Sequence, residues 1–127
     1  MIEGVVQQSF SFKDLYGNDR WEIWTPVRVG FSEVGTPILT GRFHVIGKQC
    51  FIQASIVPGT TVASTAGTSY IELPIKAQGL SGDGSMMDRT TLVSVGTIVI
   101  DVTNSRCYTP SQIATGDTLL IAAWYEV

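Results

Sequence analysis

Apolar and polar positions alternate with a period of two through most of the chain, and the three-to-four spacing of an amphipathic helix is almost absent. Val6, Phe10 and Phe12 alternate in the first segment, and Arg42, His44 and Ile46 alternate against Phe43 and Val45 further on. In KQCFIQASIV, Cys50, Ile52, Ala54 and Ile56 fall on one face, with Phe51, Gln53, Ser55 and Val57 on the other, so this strand is covered on at least one side. Gly47-Lys48 between two alternating runs predicts a hairpin, because glycine supplies the positive φ of a tight turn. SYIELPI sets Tyr70 and Glu72 against Ile71 and Leu73 and ends at Pro74, which cannot donate to a central ladder. TLVSVGTIVIDV is a nearly continuous β-branched run broken at Gly96, either a bulge or a turn joining two strands, and TLLIAAWYEV closes the chain.

PGTTVASTAGTS and AQGLSGDGSMMDR, rich in Gly, Ser, Thr and Ala and poor in charge, read as exposed loops. About seven to nine short strands with turn signals between them indicate an antiparallel sandwich or barrel. At this length the expectation is an all-β, antiparallel β-sandwich, jelly-roll-like, with a short N-terminal arm. The arm covers residues 1–20, with a helical turn over 13–16, and the sandwich domain covers 21–127.

With 127 residues, the chain is the size of one domain. Charged residues make up only 15% of it, against roughly 25% in average soluble proteins, while 44% is apolar. A domain this short buries only about two-thirds of its unfolded surface, so the apolar surplus points to a subunit of an assembly. The net charge is −3 and the eight basic residues are scattered, which excludes a stripe for a phosphate backbone and hence nucleic-acid binding. The N-terminus carries no secretion signal, and no apolar run approaches the roughly 20 residues of a membrane helix, so neither export nor membrane insertion is expected. Cytoplasmic synthesis argues for free thiols at Cys50 and Cys107 rather than a disulfide.

Candidate chemistry is sparse. Any triad or multi-histidine metal site would pass through His44, the only histidine, which reads as a strand-face residue beside Arg42. Gly82-Asp83-Gly84-Ser85 lacks the spacing of a nucleophile elbow. Asp83 and Asp88 flank the same glycine-rich stretch without the alternating acids of a calcium loop, and they read as a solvated turn. Glu22, Glu72 and Asp101 lie on strands of unknown facing, leaving a glycosidase-like carboxylate pair as an open alternative. No cofactor and no metal is implied. Trp21, Trp24, Tyr70, Tyr108, Trp124 and Tyr125 form an aromatic set suited to a subunit interface or to stacking on sugars.

Trp24-Thr25-Pro26, then Gly41-Arg42-Phe43-His44-Val45-Ile46-Gly47-Lys48, an alternating strand ending at Ile56, Ile71-Glu72-Leu73-Pro74 and a terminal Trp124-Tyr125 follow one another in a distinctive order. The order resembles small β-sandwich domains at the ends of tail fibres, head fibres and similar surface structures of tailed bacteriophages, over residues 21–127. The resemblance implies a non-catalytic virion protein, a jelly-roll-like homotrimer displayed on the particle surface and assembled in the host cytoplasm. Fibres carry a repetitive shaft before such a domain, whereas here some twenty residues precede it, so the arm is expected to attach to a capsid or tail protein, as in capsid decoration proteins.

Three functions follow as expectations. The first is a fibre- or spike-type protein contacting the host, a host-surface glycan being one candidate partner. Its interface residues would be Trp21, Trp24, Trp124 and Tyr125, and its exposed binding loops would span 58–69 and 79–90, through Thr60, Thr61, Ser64, Gly82, Asp83, Ser85 and Asp88. The second is a structural decoration or cement protein. The third is a carbohydrate-active enzyme.

Overall fold

The computed structural model describes residues 21–80 and 82–127. The strand expected through Val6, Phe10 and Phe12, the helical turn over 13–16 and the arm over 1–20 lie outside the described residues. Twelve strands follow, with no helix among the described residues: β1 (Glu22–Trp24), β2 (Arg28–Val29), β3 (Ser32–Val34), β4 (Ile38–Ile46), β5 (Gln49–Val57), β6 (Thr61–Ser64), β7 (Tyr70–Glu72), β8 (Gly82–Asp88), β9 (Val93–Asp101), β10 (Arg106–Tyr108), β11 (Gln112–Thr115) and β12 (Leu119–Glu126). Nine of them form one curled sheet in the order β1-β4-β5-β12-β8-β9-β10-β7-β2, and three form a small sheet in the order β11-β6-β3. Every neighbouring pair is antiparallel. The architecture is the antiparallel β-sandwich expected from the alternation.

The core lies between the two sheets and follows from period two. Ile52, Ala54 and Ile56 of β5 face Leu119, Ile121 and Ala123 of β12 across the ladder, and Val62 and Ala114 close the core from the small sheet. Gly47 has φ of 61° and turns β4 directly into β5, as the Gly47-Lys48 signal predicts. At Gly96 the alternatives resolve to a bulge: β9 is continuous, but its register on β8 slips between Ser94 and Gly96. Beyond that bulge β9 changes partner, pairing β8 as far as Ile98 and β10 from Val99 onward, which lets the sheet curl over the core.

Two expectations need correction. The glycine-rich stretch read as a loop over 79–90 contains β8, a central strand paired on both edges. Its loop-like composition is a packing requirement. A Cβ on Gly84 would lie 2.5 Å from the Cβ of Ala123 and 2.6 Å from the Ala122 carbonyl oxygen, and one on Gly82 would lie 2.8 Å from Ile100. Thr61 and Ser64, placed in the other loop, belong to β6, and Ser64 is buried with its hydroxyl donating to the Pro110 carbonyl at 2.6 Å. Of that group Thr60 remains an exposed connecting residue.

Buried polar groups are paired. Ser69 is fully enclosed, donates to the Gly30 carbonyl at 2.6 Å and accepts from the Thr65 amide at 2.8 Å, tying the β6–β7 connection to the β2–β3 connection. Among the described residues no buried side-chain nitrogen or oxygen lacks a partner.

Gly84→Ala is expected to lower the unfolding free energy by about 1–3 kcal/mol, because the added methyl meets backbone on β12. Ser85→Ala, on the exposed side of the same strand, should stay within about 0.5 kcal/mol. Urea unfolding of both variants checks this, and equal midpoints would contradict the central placement of β8.

Candidate functional site

On the outer side of the large sheet, the residues between the core-facing ones line up in rows across the strands. Register places His44 of β4 opposite Phe51 of β5, Phe51 opposite Trp124 of β12, and Trp124 opposite Asp83 of β8. Trp21, one residue before β1, extends the row: its ring stands edge-on to His44 with centroids 4.3 Å apart. His44 in turn stacks on Phe51 at 5.3 Å with planes 26° apart. The next row places Arg42 opposite Gln53, Gln53 opposite Ala122, and Ala122 opposite Ser85. Arg42 donates from Nε and Nη2 to Gln53 Oε1 at 2.9 and 2.7 Å, and its guanidinium lies over the Trp21 ring at 4.8 Å.

Small residues in the middle of this surface leave a hollow. Gly84, Ser85, Ala122 and Ala123 form its floor, Trp21, His44, Phe51 and Trp124 its aromatic rim, and Gln53 and Asp83 its polar groups, enclosing about 500 Å³. This lies within the range of about 300–1,000 Å³ of small-molecule sites. Asp83 Oδ1 accepts the Gly84 amide at 2.8 Å, which holds the carboxylate at the rim.

The predicted interface set separates accordingly. Trp21 and Trp124 come together at the cleft. Trp24 turns inward instead, packing on the core across Gly41, whose absent Cβ makes room for the indole. Tyr125 is a core residue rather than an interface one, because position 125 has the inward parity of β12 and is wholly buried. Its hydroxyl donates to the Ile75 carbonyl at 2.7 Å and accepts from the Ile75 amide at 3.2 Å. Among the loop candidates, Asp83 and Ser85 line the cleft from a strand, Gly82 lies against Ile100, and Thr60 and Thr61 belong to the small sheet and its approach. Asp88 is buried, on the opposite face from Asp83, and caps the turn after β8 by accepting from the Thr90 and Thr91 amides at 2.9 and 3.0 Å. Burial alone would lift its pKa, but those amides and a hydrogen bond with Asp117 outweigh it and hold Asp88 below the usual range, while the same shared bond raises Asp117.

The acids raised as a carboxylate pair are placed as follows. Glu22 is on edge strand β1. Glu72 and Asp101 share a row two strands apart with Arg106 between them. Asp101 is committed to its own turn, accepting from the Thr103 and Asn104 amides and from Asn104 Nδ2, bonds that hold its pKa low. Arg106 lies 4.4 Å over the Tyr70 ring and donates to the Tyr108 hydroxyl. His44 works here as a ring between rings. Among the described residues no group of three or more His, Cys, Asp and Glu is arranged to hold a metal ion.

Cys50 and Cys107 are free, as expected, and both are fully buried. Burial pushes the Cys107 thiol up to about 12 and raises Cys50, whose hydrogen bond with Tyr125 offsets part of the effect. Burial and the Cys50 contact also carry the Tyr125 phenol well above its ordinary value.

Phe51, Gln53 and Ala122 were not singled out from sequence. A two-residue turn at Gly47-Lys48 fixes 44 opposite 51, so half of the aromatic row was available from the hairpin register. Compared with known proteins, the chain matches no family model, no curated protein and no solved structure. What can be stated of its class is an antiparallel β-sandwich carrying an aromatic cleft on the open face of its larger sheet.

Two measurements check this site and the core beneath it. A double-mutant cycle on Arg42→Ala and Trp21→Ala should return a coupling of about 0.5–1 kcal/mol, and a coupling of zero would contradict the stacked geometry. Stability should fall as pH rises from about 9 towards 12. In that window the unfolded chain loses a thiol proton that folded Cys107 retains, a slope of about 1.4 kcal/mol per pH unit. Urea midpoints measured for Cys107→Ala beside the parent should show a shallower alkaline loss, and parallel curves would contradict the buried thiol.

Proposed function

We propose that this chain is a non-catalytic bacteriophage virion protein, displayed on the particle surface as a homotrimer and contacting the host. The observation that carries the contact role is the aromatic row Trp21, His44, Phe51 and Trp124, held on three adjacent strands and the residue leading into a fourth, over a floor of small residues. Such a surface is preorganised, because its rings stand on a hydrogen-bonded sheet whose other side is the core, and binding then loses little conformational entropy. The virion assignment is supported by the ordered motifs of residues 21–127.

Trimer formation is supported by the apolar side chains left on the surface. Leu80, Ile23, Leu92 and Ile113 are 94%, 84%, 76% and 70% exposed. Ile113, Ala63, Thr61, Thr115 and Val34 give the outer face of the small sheet an uncharged surface. In a chain with 15% charged residues, association covers surface that the fold alone leaves in water. The residues before Trp21 attach the domain to a capsid or tail protein.

Antibody-gold labelling of the phage particles, with native mass measurement of the free protein, tests this. Label at the tail tip or on head fibres together with a trimer mass is the expected result. Uniform label over the head would favour the decoration reading, and absence of label with a monomer at micromolar concentration would overturn the proposal.

A further inference from the structure

We propose that the cleft on the outer face of the large sheet is a carbohydrate-binding site for a neutral oligosaccharide, with a pyranose ring stacked on the Trp124–Phe51 part of the row. This deepens the contact role proposed above, by giving it a ligand class.

A pyranose is amphipathic in a particular way: its C–H groups form apolar faces and its hydroxyls form a polar rim. Aromatic faces carry negative charge density that attracts the slightly positive C–H groups, so ring faces bordered by planar polar groups complement a sugar on both counts. The cleft supplies both. Phe51 and Trp124 are directly opposed across β5 and β12, and beside them stand Gln53 on β5 and Asp83 on β8. Gln53 Oε1 accepts both bonds from Arg42, so the amide nitrogen is the end presented for donation. Asp83 Oδ1 is engaged by the Gly84 amide, which leaves Oδ2 to accept from hydroxyls. Donor and acceptor thus border the rings, Gln53 in the next row beside Phe51 and Asp83 one strand beyond Trp124.

Charge and shape exclude the main competitors. A quaternary ammonium group also seeks aromatic rings, but the Arg42 guanidinium, 4.8 Å over the Trp21 ring, already places a cation at that end of the row and repels a second one. A nucleic-acid base would stack as well, yet its phosphate would approach Asp83 on a chain of net charge −3. With Arg42 at one end and Asp83 at the other, the cleft favours a ligand without net charge. The row crosses five strand positions from Trp21 to Asp83, roughly 19 Å at about 4.8 Å per step, a length that suits an oligosaccharide better than a single sugar.

The test is a tryptophan-fluorescence titration of the full chain with neutral hexasaccharides of glucose and of N-acetylglucosamine, followed by an array of bacterial surface glycans, with choline as the cationic control. Saturable binding of a neutral glycan, weakened at least tenfold in Trp124→Ala and in Asp83→Ala but unchanged in Thr115→Ala on the small sheet, is expected. If Trp124→Ala fails to fold, Asp83→Ala and Gln53→Ala carry the test, since both side chains stand on the outer surface. No saturable neutral glycan, choline as the sole binder, or binding that survives these substitutions would overturn the inference. Label on particles with no glycan binding would sink the ligand class and leave the virion reading intact, and glycan binding with no label on any particle would do the reverse.

Discussion

Strict alternation of side chains along β12 couples the core of the sandwich to the cleft on its outer face. Leu119, Ile121, Ala123 and Tyr125 point into the core, and Leu120, Ala122, Trp124 and Glu126 point away from it. Because the period is two, neither set can shift without the other: a one-residue slip would expose the core residues and bury Trp124. β12 is also hydrogen-bonded on both edges, to β5 and to β8, along nearly its full length. Core and cleft are therefore two sides of one ladder, and the position of each aromatic ring in the cleft is set by packing on the opposite face.

Small residues have two roles in that ladder. Gly84 and Ala123 allow β8 and β12 to pack closely on the core side, and Ala122 and Ser85 create the hollow on the outer side. The same residues that make the strand look like a loop in sequence are what the three-dimensional arrangement requires. Polar groups inside the fold follow a parallel economy. Ser69, Thr109, Ser64 and the Tyr125 hydroxyl each bond to backbone of the irregular connections, so the connections are fastened to the sandwich by side chains from its strands and their ends.

Local order was legible in the sequence and long-range order was not. Alternation marks β4, β5 and β7 and the division of β5 into two faces, apolar runs mark β9 and β12, and Gly47-Lys48 marks the hairpin, whereas which face of each strand meets the core is set by pairing alone. Composition alone makes β8 look like a loop, since glycine and serine ordinarily mark turns, and only the neighbours Ala123 and Ile100 reveal why bulk is excluded. Chemical type groups Tyr125 with Trp124 as interface residues, although adjacent strand positions must face opposite ways. The cleft joins residues up to about a hundred positions apart through pairings that carry no local signal, so its aromatic members could be named without their being placed together.

β8 is a strand held between β12 and β9, and this pairing brings Asp83 and Ser85 to Trp124 and completes the cleft. Native-state amide hydrogen exchange resolved at residues 82–88 tests it most directly. Protection at these amides should be comparable to that along β12, because both edges of β8 are bonded. Exchange at the rate of an open glycine-rich loop would contradict the pairing, and the cleft would then lose Asp83, Gly84 and Ser85.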